Sequence, residues 1–277
     1  MIAGLLPRYV EVAEGVIGDC QADLWPEEAA CVANAVERRR REFARGRHLV
    51  RRCLRALGRP DGPLPTNQDR SPRWPDGFVG SITHTDTYCA AAVARADDID
   101  GIGIDIEDRS RFHPDLLRYV SSPGDITSNF HGLKSGDATH LGAALFSAKE
   151  TVYKCLNGLA QAQFDFADVG IEFIKGSALF YSRLLRPVGR FSVGREFIGY
   201  YLVAGDHVAT AMILPRDGPI SAQHSPSAAG QPRWSIRSER ISQRDSVSCP
   251  ALSEQREVCG DLMPAAASRS SANEEAG

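Results

Sequence analysis

Residues 101–107 read Gly-Ile-Gly-Ile-Asp-Ile-Glu, an apolar run that ends in two acidic side chains. The run from Ile99 to Ile106 has the composition of a β-strand, and side chains two positions apart in a strand project from the same face. Asp105 and Glu107 are therefore expected to converge at the end of a strand. Two carboxylates placed in this way suit a hard cation such as Mg²⁺, although a strand that simply ends in solvated acids explains the spacing equally well.

The segments around this run predict a mixture of helices and antiparallel strands. Strand-like runs at Phe78 to Thr83 and Tyr88 to Arg95 precede it, and the three runs are expected to be neighbours in one sheet. Apolar residues at helical spacing predict a helix from Ala138 to Leu156, and one long basic helix or two helices in series from Ala29 to Leu57. After the helix that ends at Leu156, strands of a meander are expected at 169–174, 190–197, 199–204 and 207–214. The predicted fold class is α+β.

Composition divides the chain into three expected parts. Residues 1–105 form an N-terminal half and residues 106–215 a C-terminal half. Residues 216–277 are rich in Ser, Ala, Gln, Pro and Arg and contain only isolated large apolar residues. Such a segment cannot bury enough apolar surface to offset the entropy lost on ordering, so it is predicted to be a mostly disordered tail.

The overall composition excludes several classes of protein. The 277 residues carry 32 Lys and Arg against 35 Asp and Glu, so no general positive field favours nucleic acid. The seven cysteines show no C-x-x-C spacing for zinc. No apolar stretch is long enough to span a membrane, and no P-loop, G-x-S-x-G or complete dinucleotide-binding motif occurs. A cytoplasmic, soluble protein with reduced thiols is expected.

Two further clusters could carry chemistry. Glu150 and Lys154 are four residues apart in the run Phe-Ser-Ala-Lys-Glu-Thr-Val-Tyr-Lys, and so share one face of the second helix. They could serve a metal ion and a phosphate, or could form an ordinary exposed ion pair. On the first helix, Arg47 and Arg51 have the same spacing. They should repel each other unless an anion, or acids from elsewhere in the chain, lie between them.

The order of these segments resembles that of the 4′-phosphopantetheinyl transferases, and more closely that of the Sfp/EntD group. The resemblance covers about residues 40–157. It rests on the motifs R-x-x-x-R (Arg47 and Arg51), R-S-P-R-W-P (70–75), G-S-I-T-H (80–84), G-I-G-I-D-I-E (101–107) and F-S-A-K-E-x-x-x-K (146–154). The D-x-E and K-E-x-x-x-K blocks at this separation are highly specific to that family.

The resemblance implies a pseudo-twofold α+β monomer, in which two similar helix-plus-sheet halves meet and coenzyme A binds in the cleft between them. It implies that Asp105, Glu107 and Glu150 hold Mg²⁺, and that Glu150 and Lys154 act in catalysis. The residues expected to bind coenzyme A are Arg47, Arg51, Arg70, Thr83, His84, Lys149 and Lys154. The family often has a glutamate where this chain has Asp125, for which a supporting role is expected.

The implied reaction is the Mg²⁺-dependent transfer of 4′-phosphopantetheine from coenzyme A to a serine of an apo carrier protein, with release of 3′,5′-ADP. The expected partners are acyl or peptidyl carrier domains of nonribosomal peptide, siderophore or polyketide synthases. Two other functions stay open: a carrier-binding module of the same fold without turnover, and a Mg²⁺-dependent nucleotide or pyrophosphate hydrolase. Carrier-dependent release of 3′,5′-ADP separates the transferase from both.

Overall fold

The structure is a computed structural model that describes residues 1–18, 23–123, 125, 137–159, 164–174 and 177–216. The helices are α1 (Pro26–Cys31), α2 (Glu37–Ala56), α3 (Leu117–Val120) and α4 (Asp137–Asn157). The strands are β1 (Glu11–Val16), β2 (Phe78–His84), β3 (Tyr88–Arg95), β4 (Ile99–Asp108), β5 (Val169–Phe173), β6 (Leu179–Leu184), β7 (Glu196–Ala204) and β8 (His207–Pro215). The chain divides into compact units Met1–Asp217 and Gly218–Gly277. The second unit, and with it the predicted tail beyond Arg216, lies outside the described residues.

Two antiparallel sheets, each packed against one long helix, make up the described unit. The first sheet has three strands in the order β1-β3-β2, and α2 packs against it. The second sheet has five strands in the order β4-β8-β7-β6-β5, and α4 lies against β4 and β8. This arrangement confirms the predicted α+β class.

Strand β4 pairs with β8 in the second sheet, so the expectation that it would share a sheet with β2 and β3 is wrong. The last strand of one sheet, β2, nevertheless lies beside the first strand of the other, β4. Ser81 Oγ accepts a hydrogen bond from the backbone N–H of Ile104 at 3.1 Å. Thr83 Oγ1 accepts one from the N–H of Ile106, also at 3.1 Å. Side-chain hydroxyls therefore connect the two sheets where a backbone ladder was expected.

The second half departs from the predicted meander in one strand. The segment 190–197 is mostly a turn, and β7 begins only at Glu196, because Gly189 and Gly194 have positive φ angles of 52° and 81° and redirect the chain. Strands β1 and β6 were not predicted. Burial alternates along β6, but its sequence does not alternate in polarity, because the polar Ser182 is buried and the aromatic Tyr181 is exposed. The long run from Ala29 to Leu57 forms two helices in series, α1 and α2.

Strand β4 has two different faces, which explain its alternating sequence. Ile102, Ile104 and Ile106 are buried in a central cluster that also contains alanines of β3 and β8. The alternate positions, which include Gly101 and Gly103, face α4. Because side chains alternate along a strand, the acidic residues at the end of β4 continue this second face.

The two glycines of β4 allow α4 to approach very closely. A Cβ atom at Gly103 would lie 1.9 Å from the carbonyl oxygen of Thr151, and one at Gly101 would lie 2.4 Å from that of Cys155. No side chain fits in either space. The glycines of this run therefore serve helix packing, and their spacing sets how near the acids of β4 come to the polar residues of α4.

The described part of the chain contains no helix that is both long and apolar enough to cross a bilayer. Cys31, Cys53, Cys89 and Cys155 are free thiols. Burial raises the pKa of Cys53 and of Cys89 to about 12, so both remain protonated and unreactive at neutral pH.

We expect Gly103→Ala to destabilise the protein by about 3 kcal/mol, since the added methyl group meets backbone atoms that cannot move aside alone. Gly170→Ala in β5 is the matched control, because its added Cβ would meet no atom closer than Leu185 Cδ2, at 3.7 Å. Urea denaturation measures both. Equal stability of the two variants would contradict this account of the β4–α4 contact.

Candidate active site

The polar ends of β4 and α4 form a buried cluster of carboxylates around one lysine. Lys154 Nζ donates a hydrogen bond to Asp105 Oδ1 at 2.7 Å and lies 3.7 Å from Glu150 Oε2. Asp105 is 3% exposed and Glu150 is 5% exposed. The spacing of Glu150 and Lys154 on the helix also allowed an ordinary exposed ion pair. In the structure the pair is largely buried, and Asp105 of β4 is a second acid bound to the same lysine.

The electrostatics of this cluster favour an added positive charge. Burial, with the charges of Asp105 and Glu150, raises the pKa of Glu107 well above its ordinary value. Burial also raises the pKa of Glu150 to about 7, although the charge of Lys154 opposes this. Burial works against the charge on Lys154 as well, but Asp105 and Glu150 outweigh it and raise the lysine pKa. Three carboxyl groups thus share a single permanent cation.

The chemistry of these donors fits a hard divalent cation. Asp105 Oδ2 is buried and has no hydrogen-bond partner. Such an atom is rare in a folded protein and is explained by a missing ion or proton. Within the described residues, no three His, Cys, Asp or Glu side chains are placed so that they could hold a metal ion together. Asp105, Glu107 and Glu150 offer the oxygen ligands that Mg²⁺ prefers, and they would have to move closer together around it.

A second polar group lies at the end of β2, around His84. Arg39 Nη1 lies 2.8 Å from His84 Nε2, and Arg38 and Arg39 of α2 both pair with Glu42, at 3.2 and 3.5 Å. Burial and the neighbouring cations Arg39, Lys154 and Arg38 lower the pKa of His84. The imidazole is therefore neutral and accepts the hydrogen bond from Arg39. This corner has positive charge on two sides, which suits a phosphate.

Arg39 is a candidate residue that the sequence did not single out. It belongs to the basic run of α2, where four consecutive arginines from Arg38 to Arg41 carry no period that would distinguish one from another. Only its contact with His84, 45 residues away, marks it.

Arg47 and Arg51 are buried and are bound within the protein. Arg51 Nη1 donates to both carboxylate oxygens of Glu28 at 2.9 Å, so an acid from α1 prevents the expected repulsion. Arg47 lies over the ring of Phe43, and burial lowers its pKa to about 10. Glu28 Oε1 accepts the N–H of Leu64 at 2.9 Å, and Arg47 Nε donates to the Leu64 carbonyl at 2.7 Å. The two arginines and Glu28 thus fix one residue of the loop that follows α2.

That loop continues as a short hairpin that carries Arg70. The hairpin is closed by a bridge between Thr66 and Pro72, and Arg70 at its tip has a φ of 66°, in the left-handed region. Next to it, Asp69 Oδ2 accepts a hydrogen bond from Asn157 Nδ2, at the end of α4, at 3.2 Å. The hairpin therefore reaches from its anchor at α2 to the helix that carries Lys154.

Comparison with known proteins agrees with this arrangement. Residues 27–94 match the 4′-phosphopantetheinyl transferase N-terminal domain family, and residues 101–207 match the 4′-phosphopantetheinyl transferase superfamily. The chain is 37% identical over 238 residues to the 4′-phosphopantetheinyl transferase Svp of Streptomyces mobaraensis, covering 83% of this chain and 96% of Svp. It is 36% identical over 224 residues to the transferase Npt of Nocardia iowensis, covering 76% of this chain and 99% of Npt. The chain belongs to the 4′-phosphopantetheinyl transferase superfamily.

Among solved structures, a holo-(acyl-carrier-protein) synthase from Bacillus anthracis in complex with CoA (3′,5′-ADP) is similar at 18% identity and a TM-score of 0.31. It covers 43% of this chain and 97% of that chain, a likeness too slight to locate any site residue. The family membership of this transferase is shown by the two sequence relatives, which are more than one third identical to it over nearly their whole length.

The two matched segments of the transferase meet at the turn between β3 and β4, where the chain leaves the first sheet for the second. The His84 corner lies in the first segment, and the carboxylate cluster in the second. Thr83 joins them, because its Oγ1 donates to Asp105 Oδ1 at 3.1 Å. The candidate site of this phosphopantetheinyl transferase therefore lies where β2 of the first sheet contacts β4 of the second.

Lys149 lies apart from this site, which corrects its expected place among the residues that bind coenzyme A. Its side chain is 0% exposed, and its Nζ lies 2.5 Å from Asp125 Oδ2 and donates to the carbonyl of Phe166 at 2.8 Å. Asp125 also accepts the backbone N–H groups of Ser122 and Ile171. The lysine therefore links α4 to Asp125 and to the segment before β5, and its buried ammonium is already paired within the protein.

We expect Arg51→Ala to destabilise the transferase by about 3–5 kcal/mol, because it leaves the Glu28 carboxylate buried without its cation. The neighbouring Arg52 is exposed, and Arg52→Ala should change stability by no more than about 0.5 kcal/mol. Chemical denaturation of the two variants makes the comparison. A small and equal effect would show that the Glu28 pair does not hold the fold.

The raised pKa of Glu150 predicts that stability depends on pH. The folded protein binds this proton more tightly than the unfolded chain, so the contribution is full below pH 4.5 and is lost as the pH rises through about 7. In metal-free buffer, Glu150→Gln should therefore be more stable than the wild type at about pH 8, with little gain near pH 4.5. Thermal unfolding at both values tests this. The exposed Glu172→Gln is the control, and a gain that is independent of pH would contradict the prediction.

Proposed function

We propose that this transferase moves the 4′-phosphopantetheine group of coenzyme A to a serine of an apo carrier protein and uses Mg²⁺ to do so. The observation that carries the proposal is the buried cluster of Asp105, Glu107 and Glu150 around Lys154, at the contact between the two halves. The carriers are domains of nonribosomal peptide, siderophore or polyketide synthases. We further propose that the protein works as a monomer in the cytoplasm.

The reaction forms a bond between the serine Oγ and the phosphorus that bears the pantetheine arm. The bond from that phosphorus to the bridging oxygen of the pyrophosphate breaks, and this oxygen leaves with 3′,5′-ADP. Charge increases on the leaving oxygens as the bond breaks, and stabilising that charge is the main task of a phosphoryl-transfer site. The serine proton must pass to a base.

The residues of the cluster divide these tasks. Asp105, Glu107 and Glu150 are the proposed ligands of Mg²⁺, which when bound supplies positive charge to the phosphate oxygens. Lys154 keeps its ammonium charged and places it beside the same oxygens. Glu150 is also the proposed acceptor of the serine proton, directly or through a water, since metal ligation and base catalysis need not exclude each other.

The nucleotide end of coenzyme A is proposed to bind at the His84 corner and Arg70. His84 and Arg39 offer an imidazole and a guanidinium, and Arg39 is 44% exposed, so it can reach a ligand. Arg70 is carried by the hairpin that is anchored at Leu64, and its guanidinium is proposed to extend to the same nucleotide. Arg47 and Arg51 then act on coenzyme A through that anchor, since their own guanidinium groups are bound inside the protein.

Two point variants are expected to separate chemistry from binding. Lys154→Ala should lower kcat at least about 100-fold with a smaller change in KM for coenzyme A, because its charge matters most as the bond breaks. Arg70→Ala should raise KM for coenzyme A about tenfold with little change in kcat, because it contacts the part that does not react. Arg73→Ala, an exposed arginine of the same hairpin, is the control.

The assay is mass spectrometry of a panel of apo carriers incubated with coenzyme A and Mg²⁺, together with measurement of released 3′,5′-ADP. The proposed function predicts serine-linked phosphopantetheine and carrier-dependent release, both abolished by a chelator. Release without a carrier would indicate the hydrolase instead. Carrier binding without any modification would indicate the silent binding module.

A further inference from the structure

Ser81 and Thr83 form a matched pair at the contact between the two sheets. They are two positions apart in β2, so their side chains share a face, and each hydroxyl accepts one backbone N–H of β4. Both are almost completely buried, at 4% and 3% exposed. Each residue therefore supplies one hydrogen bond from a hydroxyl of β2 to the backbone of β4.

Thr83 differs from Ser81 in one contact. Its lone pair is occupied by the N–H of Ile106, and its single proton is donated to Asp105 Oδ1 at 3.1 Å. The same oxygen accepts a hydrogen bond from Lys154 Nζ at 2.7 Å. Oδ1 of Asp105 therefore holds two donors, one from β2 and one from α4.

The other oxygen of this carboxylate is left free. Among the residues that the structure describes, none donates a hydrogen bond to Asp105 Oδ2, which is buried on the face of β4 that also carries Glu107. Two donors on one oxygen fix the rotation of a carboxylate, since turning the group would break both bonds. The side chains of Asp105 and Glu107 interact directly, so these two acids lie next to each other.

We propose that Thr83 is a positioning residue that holds Asp105 so that Oδ2 is the atom offered to the divalent cation. This inference rests on the proposed function, which places Mg²⁺ at Asp105. It also revises the role expected for Thr83, because its one hydroxyl proton is donated to Asp105 and is not available to a phosphate of coenzyme A. Removing a group that orients a metal-binding side chain in this way typically lowers metal affinity or activity by about 10- to 100-fold.

The experiment compares three variants of the full chain. Thr83→Val keeps the shape and removes the hydroxyl, Thr83→Ser keeps the hydroxyl, and Ser81→Ala removes the equivalent inter-sheet bond without touching Asp105. The readout is Mn²⁺ binding in the presence of coenzyme A, followed by electron paramagnetic resonance of the free ion. Turnover with an apo carrier and the melting temperature are measured in parallel.

We expect Thr83→Val to weaken Mn²⁺ binding at least about tenfold, and Thr83→Ser and Ser81→Ala to stay close to the wild type. Thr83→Val should lose at least as much thermal stability as Ser81→Ala, because each leaves one backbone N–H of β4 without its acceptor and Thr83→Val also removes the donor to Asp105. Equal weakening of Mn²⁺ binding by these two variants, or none by Thr83→Val, would overturn the inference. Failure of the wild type to modify any carrier would instead overturn the proposed function, while the comparison of metal affinities would still decide the role of Thr83.

Discussion

Helix α4 lies so close to β4 that its backbone carbonyls occupy the space where side chains would be, and the candidate site depends on this contact. The distances of 1.9 and 2.4 Å from hypothetical Cβ atoms to those carbonyls leave room for glycine alone at positions 103 and 101. Further along the same face of the strand, the glycines give way to Asp105 and Glu107. The same close approach of α4 to β4 therefore brings Asp105 of the strand into contact with Lys154 of the helix, which also pairs with Glu150.

This packing places charge where a protein does not gain stability from it. Buried carboxylates with raised pKa values oppose folding at neutral pH, and a single lysine cannot neutralise three of them. Sites of chemistry are often arranged in this way, because groups that are poorly satisfied in the free protein interact strongly with an ion or substrate. In this transferase Thr83 donates to the carboxylate cluster, and His84, the next residue of the same strand, lies among the cations Arg38, Arg39 and Lys154.

The buried arginines show a different use of charge. Arg51 and Glu28 form an ion pair far from water, and together with Arg47 they bind both polar groups of the Leu64 backbone. The apolar side chain of Leu64 is itself 1% exposed. Because Leu64 is fixed by both its backbone and its side chain, the loop that follows can hold a residue in a strained backbone conformation. Arg70, with a φ of 66°, is such a residue. Charge deep in the first half thus supports a residue proposed to bind ligand at the surface.

Local periodicity in the sequence was sufficient for the elements that carry the site. The resemblance to a known family, rather than periodicity, placed the two acidic motifs on one candidate site. The alternation of Ile with Gly, Asp and Glu identified β4, and the helical spacing identified α4. The periodicity of a strand or a helix depends on residues only a few positions apart, so it can be recognised from the sequence alone. Local periodicity does not predict which distant residue a given side chain will contact. Several contacts join residues that lie tens of positions apart in the chain. They are the pairing of β4 with β8, the ion pairs Arg51–Glu28 and Lys149–Asp125, and the hydrogen bond from Thr83 to Asp105. Only the tertiary structure decides whether a charged or polar group faces a ligand or is used inside the protein, because that depends on which distant group satisfies it once water is excluded.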